Sequence, residues 1–134
     1  MFKLRTQEDE VFMNAAVEVL RKLKKKEIKE REFDMNYYAN RSCTIKTGEC
    51  GTAHCIGGWI GVELGFSGGT NPLYEDDNFE VSEGVQRAAD RLFNPSKPEA
   101  YNTKRSAGIE ALTNFVKGRS LPWRGVKLVQ KGKK

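Results

Sequence analysis

The sequence predicts a mainly α-helical fold, a single compact domain of about four helices, with short extended pieces that could form hairpin arms. Three observations carry this. Apolar residues recur at helical spacing in three separate stretches, led by Phe12, by Val85 and by Ala107. Residues that start and stop helices flank those stretches. A fourth stretch, Cys50 to Gly65, repeats small residues every four positions (Ala53, Gly57, Gly61 and Gly65), which places them on one face of a helix.

The first helix is expected over about 7–26, extendable to 31. Thr6 stands three residues before Asp9, as in a capping box. Phe12, Ala15, Ala16, Val19 and Leu23 form its apolar face. Acid gathers in its first turn and base in its last, as the helix dipole favours. The lysines from Lys24 to Lys29 read as a solvated face. Phe33-Asp34-Met35 and Tyr37-Tyr38 form an aromatic connector that packs on the core, and Arg41 to Cys50 reads as an extended piece.

The glycine-rich segment is expected to be the central helix, capped by Cys50 or Thr52 and ended by Gly65. A glycine inside a helix costs roughly 1 kcal/mol relative to alanine. The offsetting gain is close approach of another element, or of a ligand, to the bare face. Gly57, Gly61 and Trp59 are therefore candidate binding residues. Ser67 to Asn78 reads as loop, its acids solvated and without the ligand spacing of a calcium hand. Ser82 starts the next helix, with Val85, Ala88, Ala89, Leu92 and Phe93 inward and Pro95 as its stop. Thr103 caps the last, with Ala107, Ala111, Leu112, Phe115 and Val116 inward and Gly118 beyond its end. Leu121-Pro122-Trp123 returns to the body, and Val126 with Leu128 reads as a short strand.

A chain of 134 residues makes one domain able to bury a core without metal or disulfide. We place the domain at 1–123 and a basic tail at 124–134. No apolar run approaches the roughly 18 residues of a membrane span. Acids rather than an apolar run follow Met1 to Arg5, so no signal peptide is expected. Three cysteines, an odd number, point to reduced thiols and a cytoplasmic setting. The net charge of +5 is uneven. Residues 37–116 carry 7 basic and 10 acidic side chains, while residues 117–134 carry 7 basic and none acidic.

Cys43, Cys50, His54 and Cys55 lie close in sequence and are the ligand types tetrahedral zinc uses. No Cys-x-x-Cys pair is present, however, and adjacent residues diverge by about 100° on a helix. Cys50 and His54, one helical turn apart, could instead form an activated thiol–imidazole pair at a helix N-terminus. The reading favoured over both is structural: Cys55 in the core, Cys50 as a cap, His54 on the rim. No cofactor is expected. In the tail, Trp123, Arg124 and Lys127 mix an aromatic with base, which suits contact with phosphates and stacked bases.

Residues 50–59, Cys-Gly-Thr-x-x-Cys-Ile-x-Gly-Trp, resemble a motif of small phage and bacterial proteins of uncharacterised function. With Phe33-Asp34-Met35 before it and Leu92-Phe93, Gly118 and Trp123 after it, the resemblance covers roughly residues 33–123. Gly57 stands where that group more often has alanine, and Cys43 and His54 lie outside its pattern. The resemblance implies a phage or bacterial setting and no reaction. The expectation is a non-enzymatic protein-interaction module, such as a phage-encoded modulator of a host protein or defence system. Its partner would be a host or bacterial protein, with no membrane association and the oligomeric state open. The alternatives are a cysteine-dependent enzyme and a nucleic-acid-binding accessory protein.

Overall fold

Helix α1 (Gln7–Lys24) begins where its sequence signal stands: the Asp9 N–H donates to the Thr6 hydroxyl, and the Asp9 carboxylate accepts from the Thr6 N–H. Its stripe of Phe12, Ala15, Ala16, Val19, Leu20 and Leu23 is buried. The helix stops at Lys24 rather than running toward residue 31. Continued as a helix, Ile28 would point about 140° away from Leu23. Instead Lys26 turns left-handed (φ 60°), Glu27 and Ile28 donate back to the Lys22 carbonyl, and Ile28 is buried. A single 3-10 turn, Glu30–Glu32, follows. Lys24, Lys25, Lys26 and Lys29 are exposed, as expected of a solvated face.

The structure, a computed structural model, describes residues 1–35, 54–66, 71–96, 100 and 103–129. Three further helices follow: α2 (Ile56–Glu63), α3 (Glu83–Phe93) and α4 (Arg105–Val116). Both glycines expected to end a helix do so with left-handed backbone, φ 87° at Gly65 and at Gly118. Each closes a paired motif. Gly65 and Phe66 donate to the carbonyls of Val62 and Gly61, and Gly118 and Arg119 to those of Phe115 and Asn114. The inward residues of α3 are those its periodicity gave.

Two caps differ from expectation. Thr103 is buried and its hydroxyl donates to the Ala100 carbonyl, so Lys104 takes the N-cap of α4. Ser82 stands at the N-cap of α3, yet its side chain does not cap that helix. Its hydroxyl and its N–H both donate to the Asp9 carboxylate, at 2.7 Å each. Val126 to Val129 belongs to no named strand; Val126 is buried, and the Lys104 N–H donates to the Val129 carbonyl at 2.6 Å. The body therefore continues past residue 123.

The helices meet around a ring: α1 packs on α2 and α4, and α3 packs on the same two. Phe12, Phe33, Phe93 and Phe115 fill the middle, none of them exposed beyond 2%. Phe12 stands 6.1 Å from Phe93 and 6.0 Å from Phe115, ring centre to ring centre. Lys22 and Glu63 pair at 2.8 Å between α1 and α2. Phe33 and Met35 of the connector are buried, as expected. The Phe33 ring lies directly on the backbone of α4 at Gly108, where an added Cβ would stand 2.5 Å from its Cζ.

Two measurements check this arrangement. Gly108→Ala should lose about 1–3 kcal/mol in urea unfolding, the usual cost of overpacking, despite alanine's better helix propensity; a variant as stable as the parent would show that Phe33 can move aside. Asp9 is fully buried. Burial pushes its carboxyl up, but hydrogen bonds from the Ser82 hydroxyl and from the N–H groups of Arg5, Ser82 and Thr6 outweigh that and hold it below its ordinary value of 3.8. A lowered folded pKa means stabilisation present above that value and lost as pH falls through the folded one. Asp9→Asn should therefore cost roughly 1.5–3 kcal/mol at neutral pH and flatten the acid limb of the stability curve. An unchanged acid limb would assign acid unfolding to other groups.

Candidate functional site

The cysteine–histidine segment is built differently from the helix expected there. His54 is extended and forms a parallel bridge with Phe33: its N–H donates to the Glu32 carbonyl at 2.9 Å, and its carbonyl accepts from Asp34 at 3.0 Å. This pairing keeps His54 out of the helix, so α2 starts only at Ile56. Cys55 is its N-cap, and the thiol sulfur accepts from the Gly58 N–H at 3.4 Å. His54 thus lies outside the helix in which it was expected, and it is buried rather than on the rim. Its ring meets that of Trp59 edge-on at 4.6 Å. The Trp59 indole N–H donates to the same Glu32 carbonyl, at 3.0 Å.

The Cys55 thiol is buried, and burial pushes it up to about 11. A thiol held protonated in this way is a poor nucleophile and a poor metal ligand. Cys43, Cys50 and Ala53 lie outside the described residues. Among the described residues no group of three or more His, Cys, Asp or Glu side chains is placed to hold a metal ion. Gly57 and Gly61 are buried within α2, while Gly65 lies beyond its end, exposed, with open space where a Cβ would stand. The ladder of four small residues is thus two within the helix.

The tail residues come together elsewhere. After α4 the chain crosses the C-terminal end of α3. The Trp123 indole N–H donates to the Leu92 carbonyl at 2.8 Å, and the Asn114 side chain donates to the Pro122 carbonyl at 2.8 Å. Two tight turns follow, closed by Arg124 N–H to Leu121 O and by Val126 N–H to Trp123 O. Gly125 supplies the positive φ (78°) that the second requires. Between these turns and the end of α3 lies a groove of about 380 Å³, floored by Trp123, Pro122, Pro95 and Leu128. Leu121, 45% exposed, stands on its edge with Arg91 and Arg124. Of the three tail residues named as binding candidates, Trp123 and Arg124 line this groove and Lys127 does not. Trp123 is only 8% exposed, a floor residue rather than a free stacking platform.

A second depression, of about 630 Å³, adjoins the first at Arg91 and at the Ser120–Leu121 step. Lys3, Arg5 and Arg87 line it with Arg91. Sequence reasoning missed this face, because its charges come from residues far apart in the chain and no local run announces them. Among the described residues no helix is long and apolar enough to cross a membrane.

The buried cap makes a simple forecast. Cys55 should resist alkylation at neutral pH in the folded protein and react fully only in denaturant, as mass spectrometry of the modified peptides would read. Labelling of Cys55 in the native protein within minutes would return it to the list of reactive thiols.

Compared with family models, with curated proteins and with solved structures, the chain matches none of them.

Proposed function

We propose that this protein is a non-enzymatic protein-interaction module that docks a partner through the groove between α3 and the Leu121–Leu128 segment. The observation that carries the reading is the makeup of that groove: an apolar floor with an exposed leucine and two arginines at its edge. Arginine is enriched among the residues that dominate protein contacts, and about 380 Å³ is enough for one or two side chains of a partner. The groove also sits on fixed parts, because Trp123 and Asn114 tie it to α3 and α4 through hydrogen bonds. The resemblance of residues 33–123 to phage and bacterial proteins adds a setting, that of a phage-encoded modulator acting on a host protein.

The alternatives draw less support. The cysteine-dependent alternative draws on Cys50, which lies outside the described residues, and on His54, which is buried against the Trp59 ring. Stacking of nucleic-acid bases would need an open aromatic face, and both the ring and the N–H of Trp123 are engaged.

Affinity capture from bacterial lysate, with and without nuclease treatment, comparing the parent with Leu121→Asp, tests the reading. Leu121 is half exposed, so the substitution should change stability by no more than about 0.5 kcal/mol. At least one protein should be retained by the parent and lost by the variant. Identical captures, or a retained set that vanishes on nuclease treatment alone, would overturn it.

A further inference from the structure

We infer that the segment docked in this groove is acidic: a bulky apolar residue seated against Leu121 and Trp123, followed by carboxylates that run along α3 toward its N-terminus. The inference rests on the interaction-module reading and adds the chemistry of the partner. The two depressions share Arg91 and meet at the Ser120–Leu121 step. Among the described residues, five cations line the pair (Lys3, Arg5, Arg87, Arg91 and Arg124) against one carboxylate, Glu83, which is paired with Arg87. Lys3 and Arg5 form no ion pair with a described residue. Arg91 donates to the neutral carbonyl of Ser120 at 3.3 Å and forms no ion pair with a described residue. Asp9, beneath this face, is fully buried and already accepts from Arg5, Thr6 and Ser82.

The spacing of the cations fits an extended chain. Arg87 and Arg91 are four apart on α3, so they share a face about 6 Å apart along the axis. Like charges so placed disfavour a helix, and bound carboxylates would relieve them. Two residues of extended peptide span about 6.6 Å. Carboxylates at alternate positions would therefore meet Arg91 and then Arg87, with Arg5 and Lys3 beyond. Recognition of acidic motifs by arginine clusters is a recurring mode of peptide binding. A nucleic acid would satisfy the cations but leave the apolar floor of the groove unfilled.

Panning a displayed library of random 12-residue peptides on the immobilised full chain tests the inference, with polarisation measurements on the selected peptides. Enriched peptides should carry an aromatic or large aliphatic residue followed by two or more acids. Their affinity should weaken several-fold between about 50 and 300 mM salt. It should fall roughly fivefold in Arg5→Glu and in Arg91→Glu, and be lost in Leu121→Asp, all three retaining the parent's circular dichroism. Peptides lost in Leu121→Asp but neutral in charge and indifferent to Arg5→Glu would overturn the acidic partner and leave the interaction module standing. No enrichment, or peptides indifferent to Leu121→Asp, would overturn both. A single-stranded oligonucleotide that binds tighter and displaces the peptides would overturn the inference in favour of nucleic acid. Self-association on ultracentrifugation, blocked by the peptides, would do so in favour of a second copy.

Discussion

The Asp9 carboxylate holds the two ends of the helical ring in register. It caps its own helix through Thr6 and also receives the hydroxyl and N–H of Ser82, 73 residues away. These bonds join the start of α1 to the start of α3, two helices whose main contacts are each with α2 and α4. The arrangement displaces a local bond. Ser82 stands where it would cap α3, and spends its hydroxyl on α1 instead. A charged acceptor strengthens a hydrogen bond, and a buried carboxylate without donors would be far costlier than an uncapped helix end. The balance therefore falls on the side of the long-range contact.

Much of the architecture was legible because its causes are local. The capping box at Thr6, the glycines after α2 and α4, and the buried stripes of α1, α3 and α4 each depend on residues within a turn or two of one another. What escaped depends on partners far away in the chain. Helical preference alone offers Cys50 or Thr52 as the cap of α2, whereas the pairing of His54 with the backbone around Phe33 sets that boundary. Thr103 looked like a cap from its type and place, but burial turned its hydroxyl back to Ala100. Gly108 carried no signal at all, since only the arrival of the Phe33 ring makes a side chain there intolerable. The candidate site divides in the same way. Trp123 and Arg124 stood out as an aromatic beside base, while the cations of the adjoining face are scattered from Lys3 to Arg91.

Helix α3 separates three environments with three of its faces. One face is core, through Val85, Ala88, Ala89, Leu92 and Phe93. A second carries Arg87 and Arg91 to the basic depression beside the groove. On the third, Gln86 donates to the Tyr74 hydroxyl of the acidic loop at 3.3 Å. The C-terminal end of the helix is held as well, since the Trp123 indole takes the Leu92 carbonyl and the Arg91 guanidinium reaches the Ser120 carbonyl. A surface built on such an element keeps its shape without support from a ligand, which lowers the ordering cost of binding.

The Glu32 carbonyl accepts from both the His54 N–H and the Trp59 indole. With the Phe33–His54 bridge it closes a ring of chain whose two ends are fixed side by side. Three pieces of the chain therefore depend on one peptide unit: the end of the 3-10 turn, the extended step at His54 and the first turn of α2. Tilting that peptide unit to favour one donor would loosen the other, so the connector at Phe33 and the first turn of α2 are tied to move as one piece.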